Sequence, residues 1–380
     1  MPARTYVDVH ILQTVPPSNL NRDDAGSPKQ AVYGGVRRAR VSSQAWKRAA
    51  RVAFADHVPT SELATRTKRI SKLLTDRLAV RTGLDVESAT RIVTHMLTPL
   101  GIKAGKKATE TAYLLFFGRP QIDRLVDLVA DRVGELAALD DKALDAAVKD
   151  LPVKEQLASG HPIDVALFGR MVADIPGLNV DAATQVAHAL STHAVETEFD
   201  YYTAVDDENT ESTGAGMIGT VEFNSATLYR FATVGTHQLL DNLGGDVEAT
   251  AAALEVFLTA FAYSMPSGHQ NTFGNRTLPA LVSVVLREDQ PVNLVSAFEE
   301  PVRPAAGIAA ESVQRLAAEM ARTSELWGLS PAAVWSTYSP SPDGARNAAA
   351  QHALGASLPF KDVVAAATES VRGRLASGET

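Results

Sequence analysis

Seven cations and no acid lie between Lys29 and Arg51: Lys29, Arg37, Arg38, Arg40, Lys47, Arg48 and Arg51. A chain of phosphates would feel such a run over a Debye length of about 8 Å, whatever charge the far side of the molecule carries. Asn19, Asn21, Arg22, Ser42, Ser43 and Gln44 place further polar groups beside it. A helix starting at the serine pair would add free backbone amides, which favour the same anions, so this constellation suits consecutive phosphates of a nucleic acid. Pro266-Ser-Gly-His-Gln-Asn-Thr-Phe-Gly-Asn-Arg276 is a second stretch of this kind. Its small residues permit close backbone approach, and its donors, His269 and Gln270 among them, suit phosphate or ribose; it reads equally well as an ordinary helix-to-strand connection.

Other motifs point to catalysis less well. Gly214-Ala-Gly-Met-Ile-Gly219 is a literal G-x-G-x-x-G, and Asp241 lies about 20 residues on, as in a dinucleotide-binding fold. That chemistry needs a strand before the glycines and a helix after them, whereas an acidic stretch precedes and a β-type segment follows. The glycines therefore read as a hairpin or loop tip. Asp23-Asp24 and Asp206-Asp207 could offer carboxylates to Mg²⁺ or could simply hold turns. His188 and His193 do not have zinc-ligand spacing, and G-x-S-x-G, Walker A and H-E-x-x-H sequences are all absent. With no Cys in the chain, disulfides, Cys-zinc sites and thiol nucleophiles are excluded together. The expectation is a binding protein, not an enzyme, with neither metal nor cofactor.

The elements that must position these groups follow from pattern. Tyr6 to Leu12 alternates, with Val7, Val9 and Ile11 on one face and Asp8 and His10 on the other, which predicts a half-buried strand. Ser18 to Gly35 reads as one long loop, and Gln44 to about Asp56 as a helix with Ala45, Ala49 and Phe54 or Val52 inward and Lys47, Arg48 and Arg51 outward. From about Pro59 to Val186 the spacing is helical. Val221 to Val234 and Leu281 to Leu286 are β-type, Glu248 to Tyr263 is a helix between them, and Ser312 to Met320 and Phe360 to Leu375 predict two more helices. The order predicts an α+β core interrupted by an all-α insert.

The 380 residues, 45% hydrophobic and 21% charged, have an ordinary soluble composition. The longest apolar runs fall far short of a membrane span, and Met1 to His10 lacks a basic then apolar leader pattern, which predicts a cytoplasmic protein. A net charge of −8 argues against a polyanionic partner only until it is resolved along the chain. Met1 to Arg51 carries nine basic and three acidic residues, +6, which leaves −14 on the rest. A second basic run, Arg66, Lys68, Arg69, Lys72, Arg77 and Arg81, is opposed only by Asp76 within its own segment, and Glu196 to Glu211 holds seven acids and no base.

Leu20-Asn-Arg-Asp-Asp24, Gly34-Gly-Val-Arg-Arg-Ala-Arg-Val-Ser-Ser-Gln44 with Lys47-Arg48, Asp164-Val-Ala-Leu-Phe-Gly-Arg-Met171, Thr203-Ala-Val-Asp-Asp207 and Asn242-Leu-Gly-Gly245 resemble the CasC family. That family supplies the backbone subunit of Cascade, the type I-E CRISPR surveillance complex. The matches run in order from the first strand to about Phe298. The resemblance implies an RRM-like (ferredoxin-like) palm over residues 1–58 and 187–380, helical fingers over 59–186, and a thumb β-hairpin at about 198–222. It implies several copies stacked along one CRISPR RNA, kinking it periodically and presenting it for pairing with a target DNA strand. The other copies, the other Cascade subunits and a helicase-nuclease recruited by the assembled complex are the remaining partners it implies. Carried over by position, Arg22, Lys29, Ser42, Gln44, Lys47 and Arg51 would contact RNA phosphates, and Met171 would pack at the kink. Tyr202 and Thr203 would stand at the thumb base beside the displaced nucleotide. His269 stands where related sequences tend to carry Lys, which implies a weaker or pH-dependent phosphate contact, and Gln270 would lie beside it. Backbone subunits of related type III effectors cleave RNA with a loop Asp, a role that here would fall to Asp23 or Asp24.

Overall fold

A computed structural model describes residues 4–101, 110, 114–172, 175–205, 215–303 and 307–378. The alternating N-terminal run forms β1 (Tyr6–Ser18). Val7, Val9 and Ile11 are buried as the pattern predicts, but Asp8 and His10 on the other face are 0% exposed. The half-buried reading fails because β1 is a central strand with both faces covered. Each of these buried polar side chains is held through one of its polar atoms: Asp8 Oδ2 accepts from Arg287 Nε at 3.0 Å and from the Val292 amide at 2.9 Å. His10 Nδ1 lies 2.9 Å from Tyr229 Oη, which accepts from the Leu294 amide.

The polar stretch after β1 is not one long loop. Its second half is β2 (Gln30–Tyr33), joined to β3 (Val36–Val41) by Gly34 and Gly35, whose φ values of 57° and 75° are those of a two-residue hairpin turn that favours glycine. A Cβ on Gly34 would also strike the Glu299 carbonyl. Helix α1 (Ser43–Ala53) follows. Its inward residues are Trp46 and Ala50; Ala45 and Ala49 are half-buried and Val52 is exposed, because the one large apolar group, Trp46, sets the inward stripe.

Then come β4 (Ala64–Thr67), α2 (Ile70–Thr82), α3 (Val86–Leu97), β5 (Leu115–Gly118), α4 (Arg119–Ala130), α5 (Val133–Ala138), α6 (Asp141–Val148), α7 (Val153–Ala158) and α8 (Ile163–Phe168). Leu74, Leu78, Ile92, Val93, Leu125 and Val126 form the centre of their core. This segment is not all-α as predicted: β4 and β5 pair antiparallel, since Leu115-Phe-Phe is a short buried β-forming run. The remaining elements are β6 (Thr184–Val186), β7 (Ala189–Ser191), β8 (Glu198–Val205), β9 (Ala215–Gly235), α9 (Thr236–Asn242), α10 (Val247–Tyr263), α11 (Gln270–Phe273), β10 (Leu281–Arg287), α12 (Ile308–Trp327), β11 (Ala333–Tyr338), α13 (Gly344–Leu354) and α14 (Phe360–Ser377).

The large sheet has the order β11-β10-β1-β9-β7-β3-β2, with β6 and β8 also paired to β9. Helix α12 contributes Leu316 and Met320 to the core over one of its faces, together with Leu12, Tyr229, Leu281, Val285 and Phe298. Strand β9, 21 residues long, pairs with β1 along its C-terminal half and with β8 along its N-terminal half. The change happens at a bulge, where Val15 faces Ala226 and Ser18 faces Asn224. Pro16 and Pro17 occupy the surplus, where residues without an N–H can leave the ladder. The described chain divides into two compact units, residues 1–53, 185–235 and 254–380 in one, and 54–184 with 236–253 in the other. Thus the mixed α+β class is as predicted.

Candidate nucleic-acid interface

The polar segment after β1 is built by its own side chains. Asp23 Oδ1 accepts from the amides of Ala25 at 2.9 Å and Ser27 at 3.0 Å, so this carboxylate holds a turn. Asn19 Nδ2 donates to the carbonyls of Gly26 and Glu222, both at 2.9 Å, which pins the segment to β9. Asn21 Oδ1 accepts from the Ser42 amide at 2.9 Å, which ties it to the start of α1. Of the two serines, Ser42 is the one that caps, its Oγ accepting from the Gln44 amide at 3.2 Å.

The second polar loop packs directly onto this one. Arg22 Nη1 lies 2.8 Å from His269 Nε2, a bond in which the guanidinium donates and the imidazole accepts. Residues 247 apart thus form one surface. Close approach depends on Gly268: a Cβ there would lie 2.3 Å from the Leu20 carbonyl oxygen and 2.6 Å from that of Asn19. His269 carries φ of 45°, the one non-glycine residue in the left-handed region among those described, a conformation held by its surroundings. Phe273 meets its ring edge-on at 6.2 Å, and Phe223 of β9 lies 5.7 Å beyond Phe273.

Arg22, Gln44, Arg48 and Gln270 are exposed, while Lys29, Ser42, Lys47, Arg51 and His269 are half-buried. Burial holds the Lys47 ammonium below its ordinary pKa. Two members of the sequence constellation do not face solvent. Asn19 is the latch just described, and Arg38, 0% exposed, donates to the carbonyls of Tyr33, Ser191, Phe298 and Glu299. A fork of five donors fits such a cluster of carbonyls, and this arginine serves the fold.

Strands β8 and β9 form the expected antiparallel hairpin in register, with Tyr202 opposite Gly219. The Tyr202 ring lies across Gly219, where a Cβ would come within 2.4 Å of its hydroxyl. This accounts for the last glycine of the G-x-G-x-x-G. Residues 215–219 run inside β9 with no helix after them, so the dinucleotide reading is excluded. Tyr202 and Thr203 are exposed. By register Tyr202 shares its face with Phe223, the residue that touches the second loop. Asp206, Asp207 and Gly214 lie outside the described residues. In the other unit Met171 is 84% exposed. There the second basic run is paired, Lys72 to Asp76 at 2.7 Å, Arg77 to Asp123 at 2.8 Å and Arg81 to Asp127 at 2.5 Å. Its acids come mostly from α4, out of sight of a count along α2. Among the described residues no three His, Cys, Asp or Glu side chains group as metal ligands, and no helix is long and apolar enough to cross a membrane.

Gly268 belongs to the second stretch, marked in the sequence by its small residues, and the backbone it approaches is the chain's own at Asn19 and Leu20; what sequence reasoning missed is His188, whose Nδ1 lies 3.2 Å from Arg40 Nη1. Two strands that bring positions 40 and 188 together are the only signal, and it is a topological one.

Residues 7–365 match the model of the CT1975-like protein family. The chain belongs to this family. Among solved structures it is similar to a chain of a "CRISPR RNA-guided surveillance complex, pre-nicking", with 32% identity, 96% of this chain and 100% of that one covered, and a TM-score of 0.83. It is also similar to a chain of a "CRISPR RNA-guided surveillance complex", with 30% identity, 96% and 99% coverage and a TM-score of 0.73. No curated protein matches it.

Proposed function

We propose that this CT1975-like chain is a non-catalytic, CasC-like backbone subunit of a type I-E surveillance complex. Copies of it stack along the spacer of a guide RNA, kink it at intervals and present it to a target DNA strand. The observation that carries this reading is the likeness, end to end, to a chain of an RNA-guided surveillance complex. The geometry agrees with it. Strand β1, helix α1, strands β7 and β9, helix α10 and strand β10 follow a βαββαβ order with the sheet sequence β10-β1-β9-β7, which supports an RRM-like palm. The β8–β9 hairpin supports a thumb at about 198–222, and the helix-rich segment over 59–186 supports fingers. Arg22, Lys29, Ser42, Gln44, Lys47, Arg51, His269 and Gln270 would grip phosphates, with Met171, Tyr202 and Thr203 at the kink. Guide pairing supplies sequence specificity, so protein contacts need only be to the backbone. Asp23, whose carboxylate already serves a turn, is assigned no chemistry. The assembled complex recruits a helicase-nuclease, and the setting is cytoplasmic.

The test is co-expression with guide RNA and partner subunits. The purified assembly protects the RNA from nuclease and leaves complementary RNA uncut in the presence of Mg²⁺. An assembly without protected RNA, or one that cleaves RNA and loses cleavage in Asp23→Ala, refutes the reading.

A further inference from the structure

Helix α1, which bears Lys47, Arg48 and Arg51, turns two buried residues inward, Trp46 and Ala50. Trp46 is thus the one large anchor of the helix, and its indole lies against a cation: Arg230 Cζ of β9 stands 3.7 Å from the ring centroid. The Phe261 ring of α10 lies 4.6 Å from the same atom. Arg230, 1% exposed, donates from Nη1 to Gln13 Oε1 at 2.7 Å and from Nη2 to the Phe261 carbonyl. Gln13 of β1 donates in turn from Nε2 to the Thr277 carbonyl at 2.8 Å, and Thr277 Oγ1 donates to the Thr14 carbonyl at 2.7 Å, which ties down the chain just after the second polar loop. Helix α1, strands β1 and β9, helix α10 and the exit of that loop are therefore joined through one side chain.

No carboxylate lies within ion-pair distance of Arg230 among the described residues, and burial pushes its guanidinium down to about 9 from the ordinary pKa. A buried cation without a counter-ion is a poor source of stability, since an apolar side chain of similar volume often fills such a site at no loss. What the guanidinium supplies and an apolar group cannot is orientation, because its planar fork is fixed by two rings and two acceptors at once. We infer that Arg230 is a positioning residue for RNA: by carrying the Trp46 ring and fixing Gln13 it sets the seat of helix α1, and so aims Lys47, the next residue along, at a phosphate. The inference rests on the RNA-binding reading and deepens it. Lys47 is half-buried, so its reach follows from where the helix lies.

A double-mutant cycle on the full chain tests this, read by anisotropy of a labelled single-stranded oligouridylate across a salt series. In the wild type, Lys47→Ala is expected to weaken binding about 10-fold, the lower end for a charge-assisted hydrogen bond, and to flatten the salt slope by about one unit. In an Arg230→Met background that melts as a folded chain, the same substitution is expected to cost less than about 3-fold and to leave the slope unchanged, because Lys47 no longer meets its phosphate. Arg230→Lys keeps the charge without the fork and should behave as Arg230→Met does; it also carries the test if Arg230→Met does not fold. A merely structural arginine would lower stability and leave the cost of Lys47→Ala at its wild-type value in both backgrounds, a result that overturns the inference. Full recovery of that cost in Arg230→Lys alone also overturns it, since charge and not position would then be what acts. A wild-type chain that binds no RNA overturns the RNA reading itself.

Discussion

Gly268→Ala is the sharpest single test of how the two loops make one surface. The added methyl would sit 2.3 Å from the Leu20 carbonyl oxygen, 2.6 Å from that of Asn19 and 2.7 Å from the Leu20 carbonyl carbon. All three are backbone atoms, and Asn19 is itself fixed to Gly26 and Glu222, so no flexible side chain can yield. Ordinary contact begins at 3.4 Å. The loops must therefore part by roughly 1 Å, a small-to-large change of the kind that costs about 1–3 kcal/mol in a packed site. The same movement breaks the 2.8 Å contact between Arg22 and His269. If both side chains hold phosphates in register, the variant loses up to two contacts, and the slope of log affinity against log salt flattens by about one to two units. Gly274→Ala is the control. It sits in the same loop with φ of 55° and nothing within 4 Å of its would-be Cβ, so it should cost about 1 kcal/mol of backbone strain and leave the junction intact. The assay pairs fluorescence anisotropy across a salt series with urea melts. A Gly268→Ala protein that loses stability but keeps both affinity and slope would refute the idea that joining the loops builds the RNA surface.

Lys47→Ala and Arg22→Ala should each flatten the salt slope by about one unit and weaken all RNA sequences alike, whereas Tyr202→Ala should leave the slope and disturb assembly or target pairing. Unequal losses across spacer sequences in anisotropy titrations would contradict the backbone-only grip. Arg38→Met strands four carbonyl acceptors at a buried site and should cost about 3–5 kcal/mol in urea melts; a change near zero would show that the clamp is dispensable. Buried His10 is pushed down to about 3 by desolvation and then by Arg287. Its folded-state pKa thus lies below the unfolded one, and the unfolded chain takes the extra proton as pH falls from about 6.5 to 3. The stability is complete above that window and about 3 kcal/mol of it is gone by pH 4.5, a loss that His10→Gln should not share in melts at pH 7 and 4.5.

Local pattern carried the elements whose burial is one-sided or complete. Leu254, Phe257, Leu258 and Phe261 mark α10, and Leu281 to Leu286 mark β10, because a run of apolar residues at one period admits one solution. Pattern failed where position in the sheet decides the environment. Asp8 and His10 look solvent-facing in an alternating strand, and only the neighbours on both sides of β1 bury them. Charge misled in the same way: Arg38 and Arg40 are near neighbours in one basic run, yet one reaches inward to four carbonyls and the other, half-buried, meets the Gln30 carbonyl and His188. Strand β11 and helix α13 were not foreseen, since Ala333 to Tyr338 and the Ala-rich 344–354 segment have weak periodicity and take their order from β10 and α12.

The double assignment of β9 has a consequence for how this architecture can vary. One continuous strand belongs to the central sheet at one end and to the hairpin at the other, with no linker between them. Growth of the hairpin therefore has a parity rule. Matched insertions of two residues in β8 and β9 lengthen it and keep Tyr202 and Phe223 on the same side, whereas a single residue added between Glu198 and Tyr202 turns the ring to the opposite surface and away from Gly219. Reach and facing are thus inherited separately: length can drift in even steps, while the side the tyrosine presents is fixed by the count from the Glu198–Phe223 pair at the base of the hairpin.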